Sequence, residues 1–290
     1  KIQHMEGIKA IGELCNAKIT GLKEGSAVLK FEPKSLEAKD LNIEISTAGS
    51  IGLILQTLMI PISYLDKPVK ITINGGGTWN KWAPPVEYFE KVLFPILGEN
   101  SKIKILKNGF YPRGGARVEI HSKPFEISGL DLLDKGNLIL TSIKSVASRD
   151  LELRTVAERQ AEAAKKLIEE KLKCETEVIT EYVESDNSGT GIILWTSNEN
   201  SIIGGDSLGE LKKKAEDVGK EAAEKLIEDY KKGCVDRHAA DMLLPYMALV
   251  GSGKIKTPSI TDHRRHNAKV IEMFLPVKFT LHSDGLVEVR

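Results

Sequence analysis

The sequence predicts a mixed α+β or α/β protein, built from βαβαββ units that occur more than once and interrupted by an inserted small α/β domain. Three observations lead there. Helical and alternating apolar patterns succeed one another along the chain, with short extended pairs between them. The hydrophobic share of 41% is enough for a real core. The middle of the chain, from Leu138, is charged and Ala-rich, and from Val235 it turns apolar again. Residues 1–137 and 233–290 therefore read as one discontinuous body, and 138–232 as the insert, in keeping with the roughly two domains that 290 residues suggest.

Each element has a local cause. Met5, Ile8, Ile11, Gly12 and Cys15 fall at helical spacing and predict a helix over about 3–15. Short extended runs follow at 17–20 and 27–31, split by Gly21 and Gly25, with a further strand at 41–45. Ser50 is a candidate N-cap for a helix over 51–64. A β-branched strand, 69–73, runs into the glycine loop Asn74-Gly75-Gly76-Gly77-Thr78, and Pro84-Pro85 starts a helix over 86–97. Strands at 102–107 and 116–120 flank the loop 109–115. In the insert, helices are predicted over 154–173 and 208–231, with strands near 175–183, 190–196 and 202–203. An apolar helix is predicted over 268–275.

Composition excludes several classes. Lys and Arg total 41, as do Asp and Glu, so a histone-like basic protein is ruled out while a local basic groove is not. No apolar run approaches the ~20 residues of a membrane span, and no signal peptide is visible. Three scattered cysteines without a C-x-x-C pattern argue against a disulfide framework or a cysteine zinc site, and point to the cytoplasm.

Four places carry residues that a plain scaffold does not need. The triple glycine 75–77 before a helix start suits an anion, although the phosphate-loop and dinucleotide patterns are both incomplete. Arg113, between Pro112 and Gly114-Gly115, sits on a tight loop and could clamp a phosphate. His238 and Asp241 share a helical face, with Asp236 as a possible cap. Thr257–Asn267 gathers His263, Arg264, Arg265, His266 and Asn267 at a helix start. A neutral imidazole there could act as nucleophile beside cations that stabilise phosphate charge. The His263-x-x-His266 spacing alone is weak as a metal site. Each place also has a plain structural reading, as a turn, a capped helix or a solvated basic segment.

Taken in order, Ser46-Thr47-Ala48-Gly49-Ser50 with Gln56, Gly75-Gly76-Gly77-Thr78 with Trp82-Ala83-Pro84-Pro85, Gly109–Gly115, Ser188–Gly191, His238–Pro245 and His263 with Asn267 resemble the RNA 3′-terminal phosphate cyclases, in particular archaeal-like members, over essentially the whole chain. The resemblance implies repeated βαβαββ units like those of 5-enolpyruvylshikimate-3-phosphate synthase. It also implies an ATP- and Mg²⁺-dependent enzyme acting on RNA with a 3′-phosphate. His263 matches the histidine that takes AMP, and Gln56, Pro84, His238, Asp241 and Met242 match nucleotide-binding positions, with Pro84 and His238 around adenine. Many relatives have Tyr where His238 stands and Gln where Met242 stands. Arg113, Arg264, Arg265 and Asn267 are the candidate phosphate or RNA contacts. Such proteins carry about 45 further N-terminal residues, and the sequence reads as lacking that stretch. The alternative within the family is a member without cyclase activity that serves ribosome assembly, and His263 argues against it. A lysine-dependent nucleotidyltransferase would need a K-x-D-G element, which is absent. An enolpyruvyl transferase on the related fold would take a small phosphorylated acid in place of RNA.

Overall fold

The computed structural model describes residues 1–290. Helix α1 (Ile2–Leu14) precedes the antiparallel pair β1 (Lys18–Thr20) and β2 (Lys30–Glu32). An unbroken βαβαββ unit follows. It comprises β3 (Leu41–Ser50), α2 (Ile51–Ser63), β4 (Val69–Gly77), a second helical segment, β5 (Lys102–Lys107) and β6 (Arg117–Ser122). The helical segment is α3 (Val86–Tyr88), a π-helical turn at Phe89–Leu93, and α4 (Phe94–Leu97). The sheet order is β3-β4-β6-β5, with β3 and β4 parallel and the other pairs antiparallel.

The same topology recurs in a split unit. Strand β7 (Leu130–Leu132) is followed by the insert and then by α7 (Ala239–Met242), α8 (Leu244–Val250), β12 (Gly253–Lys256), α9 (Asp262–Phe274), β13 (Phe279–Leu281) and β14 (Leu286–Val289). Read from β7 the order is β7-β12-β14-β13, again one parallel pair and two antiparallel pairs. Between the halves lie β8 (Leu138–Ser148), α5 (Val156–Leu172), β9 (Thr176–Val183), β10 (Thr190–Asn198), β11 (Ile202–Leu208) and α6 (Ala215–Lys232), with sheet order β11-β10-β8-β9.

The insert sheet has two buried faces. Ile143, Ile192 and Leu194 pack against α5 and α6 around a separate apolar cluster that includes Ala164, Ala222 and Leu226. Val146 and Ile193 join the main core, with Tyr88, Phe89 and Val92. Close approach is made possible by Gly191, where a Cβ would run into the Trp79 ring. No helix is long and apolar enough to cross a membrane.

Several boundaries differ from the sequence expectation, four of them with a local cause. Strand β4 continues through Gly75–Gly77, because Ile45 pairs with Gly75 and Ser50 with Gly77 across an irregular register. Gly75 has φ +84°, and a Cβ there would collide with the Ile45 carbonyl. Strand β3 likewise runs past the expected 41–45 to Ser50 and leads directly into α2. Helix α6 starts at Ala215, not near 208, because β11 extends to Leu208 along β10. Helix α9 starts at Asp262, six residues before the apolar pattern, because Thr261 caps it by accepting from the Arg264 N–H at 3.1 Å. The expected Ser50 cap is present, accepting from the Leu53 N–H at 3.4 Å.

Candidate active site

A cavity of about 620 Å³ opens where the two βαβαββ units meet. The unbroken unit supplies one wall. Leu53, Gln56, Thr57 and Ile60 project from one face of α2, at the i, i+3, i+4, i+7 spacing of a helix side, and Trp82, Ala83 and Pro84 come from the loop after β4. The split unit supplies the other wall, with His238, Asp241 and Met242 from the α7 turn and His263, His266, Asn267 and Val270 from α9.

Asp241 organises this second wall. Its Oδ1 accepts from Arg264 Nε at 2.8 Å, its Oδ2 from His263 Nδ1 at 3.0 Å, and its backbone oxygen from Asn267 Nδ2 at 3.0 Å. An ionised carboxylate only accepts, so the His263 Nδ1 carries the proton. In the neutral ring the lone pair then sits on Nε2, and the side chain is 77% exposed at the cavity. Arg264 has the opposite character. It is 1% exposed and also donates to Thr257 Oγ1 at 3.1 Å and to the Ser259 carbonyl.

His238 is held from the insert. Its Nε2 lies 3.1 Å from Asp206 Oδ1 on β11, and its ring meets Tyr88 edge-on at 5.7 Å. Burial pushes the imidazole pKa down, but Asp206 and Asp236 outweigh it and leave the pKa raised. Asp236 is fully buried. Its Oδ1 accepts from Tyr88 Oη at 2.7 Å, His238 N at 2.8 Å and Ala239 N at 2.9 Å, and its Oδ2 accepts from Gly204 N at 2.8 Å. It therefore does more than cap a helix: it fastens β11 of the insert to the helix start that presents His238 and Asp241.

The structure brings Gln56, Pro84, His238, Asp241, Met242, His263 and Asn267 to one cavity. It does not bring Arg113 there. The Arg113 Nη1 donates to the Asp186 carbonyl at 3.1 Å and its N–H to Asn187 Oδ1 at 3.3 Å, so the loop clamps the insert. Arg264, expected at a phosphate, is instead spent inside the protein on Asp241. A cation in a basic run looks solvated in sequence, and only tertiary packing buries it. Arg265 is exposed on α9 outside the cavity lining. Sequence reasoning assigned no site role to Trp82, Tyr246 or Asp206. Trp82, 69% exposed at the cavity, was visible as an aromatic in the glycine-loop motif, but nothing in the sequence tied Asp206 to His238. No three His, Cys, Asp or Glu side chains are grouped as a metal site among these residues.

Comparison with known proteins identifies the family. The family profile described as RNA 3′-terminal phosphate cyclase matches residues 1–281. The chain is 40% identical over 287 residues to the RNA 3′-terminal phosphate cyclase of Pyrobaculum aerophilum, covering 96% of this chain and 81% of that protein. It is 39% identical over 292 residues to the one of Pyrococcus abyssi, covering 97% and 82%. For the one of Archaeoglobus fulgidus the identity is 36% over 278 residues, covering 94% and 82%. With the profile spanning nearly the whole chain and the motif residues converging on one cavity, the protein belongs to the RNA 3′-terminal phosphate cyclase family.

Proposed function

We propose that this protein uses ATP to convert an RNA 3′-terminal phosphate into a 2′,3′-cyclic phosphate, with His263 as the nucleophile. The observation that carries this reading is the Arg264–Asp241–His263 chain at the cavity, which fixes one ring nitrogen and leaves Nε2 free. The His263 Nε2 attacks the α-phosphorus of ATP, the bond to the bridging oxygen breaks, and pyrophosphate leaves. An oxygen of the RNA 3′-phosphate then takes AMP from His263, and the imidazole is regenerated. The neighbouring 2′-oxygen attacks the activated 3′-phosphorus and AMP leaves. Activation replaces a poor leaving group with a good one, and the 2′-oxygen is already in place, so proximity supplies much of the rate.

Pro84 and His238 bracket the adenine in this reading, with Gln56, Asp241 and Met242 beside them. Asn267 steadies the Asp241 backbone, and Arg265 on the exposed side of α9 is the cation offered to the RNA. In this reading Mg²⁺ accompanies the triphosphate, whose charge it neutralises. We assign residues 1–137 and 233–290 to the catalytic body and 138–232 to the insert. Three free cysteines favour a cytoplasmic protein.

The test is incubation of a 3′-phosphorylated oligoribonucleotide with ATP and Mg²⁺. The reading expects a phosphatase-resistant 2′,3′-cyclic end that forms only with ATP. An unchanged, phosphatase-sensitive end would remove it and favour the ribosome-assembly role.

A further inference from the structure

We propose that His266 is the base that accepts the 2′-hydroxyl proton during ring closure, an inference that rests on the cyclase reading above. His266 lines the same cavity as His263 and lies three residues further along α9. Its Nδ1 is 2.7 Å from the Asp262 carbonyl oxygen. A carbonyl oxygen only accepts, so Nδ1 holds the proton and the neutral ring keeps its lone pair on Nε2. The two imidazoles are thus prepared alike, each tied at Nδ1 and open at Nε2.

The other basic groups on the cavity are committed elsewhere. Both Asp241 oxygens are taken by Arg264 and His263. The His238 Nε2 is engaged by Asp206. Burial, with Glu99 nearby, holds the Tyr246 hydroxyl protonated. His263 is itself released when AMP moves to the RNA, but its Nε2 then faces the phosphorus of the departing AMP. The phosphorus that reacts next lies one bridging oxygen away. A residue three positions along a helix is displaced by about 4.5 Å on the axis, so a second imidazole one turn from the first can serve the second phosphorus. In the step proposed here the 2′-O–H proton passes to His266 Nε2, the 2′-oxygen bonds to the 3′-phosphorus, and the bond from that phosphorus to AMP breaks with AMP taking the electron pair.

The experiment supplies preformed adenylated RNA, with AMP already on the 3′-phosphate, to the wild-type protein, His266→Gln and His266→Ala. The wild type should release AMP and form the cyclic end. Both variants should do so more slowly by about 10²-fold, with the supplied adenylated RNA persisting. Added imidazole should restore His266→Ala and leave His266→Gln slow, a response that a merely structural role would not give. Failure of the wild type itself to close the ring would remove the cyclase reading together with this inference. A wild type that closes the ring while the variants keep pace overturns the inference alone, as does a slow His266→Ala that imidazole leaves slow.

Discussion

The two βαβαββ units share one topology but are held together differently. The unbroken unit has long strands, ten residues in β3 and nine in β4, and a first helix whose Ile51, Ile54, Leu55, Leu58, Met59 and Ile62 are all buried. Its wall of the cavity is a by-product of apolar packing. The split unit has strands of only three or four residues and first helices of four and seven. Buried polar fasteners support it: Asp236 holds the start of α7 to β11, and Arg264 holds Asp241 to the α9 end. The titratable residues proposed for catalysis lie on this polar side. An apolar wall tolerates hydrophobic exchanges that conserve its volume, whereas a polar network fixes the tautomer and direction of a single ring.

The comparison breaks most sharply at Asp241. Asp241→Asn should leave the cavity walls in place but permit the wrong His263 tautomer, because an amide can donate as well as accept. Transfer of AMP to the protein should fall on the order of 10³-fold, read as single-turnover labelling, and stability should drop by about 3 kcal/mol because the buried Arg264 cation loses its carboxylate partner. A folded Asp241→Asn variant that is labelled at the wild-type rate would mean that Asp241 is structural only. Arg264→Met comes next. It keeps part of the volume and removes the buried cation, so stability should drop by about 3 kcal/mol, measured by denaturant unfolding. The drop stays at the low end for a broken buried pair because Asp241 is 25% exposed and water can reach it.

The unbroken unit offers the control, and its expected effect is the smallest. Glu99 is 5% exposed beside Ser101, with its Oε2 unpartnered, and burial raises its pKa from 4.5 to about 7. A folded state that keeps a proton the unfolded chain releases loses stability as pH rises between those two values. That loss should amount to about 2 kcal/mol after allowing for partial solvation. Glu99→Gln should flatten the pH dependence over this window and leave AMP transfer intact. A slope unchanged by Glu99→Gln would place the titration elsewhere.

How much was legible in sequence follows the same division. Alternation and helical spacing revealed the unbroken unit, because its elements are long and apolar on one face. The Ser50 cap was readable from residue type alone. In the split unit the cues were short, and α9 opens on Asp262-His263-Arg264-Arg265-His266, where no apolar period marks a helix. The convergence on one cavity came through resemblance of motifs rather than through periodicity. Arg264 shows why the rest was hidden. Its neighbours in sequence are exposed charges, and its burial depends on Thr257, Ser259 and Asp241, which only the fold brings near. The pairing of Asp206 with His238 likewise joins positions 32 apart across the insert boundary.

The central claim is that the polar side of the cavity presents His263 Nε2 to the α-phosphate of ATP. The most direct measurement is incubation with ATP labelled at that phosphate, followed by denaturation and counting of label on the protein. The account predicts acid-labile label on the wild type and none on His263→Ala, whose exposed side chain can be removed without disturbing the core. Label that persists in His263→Ala, or that resists acid, would contradict it.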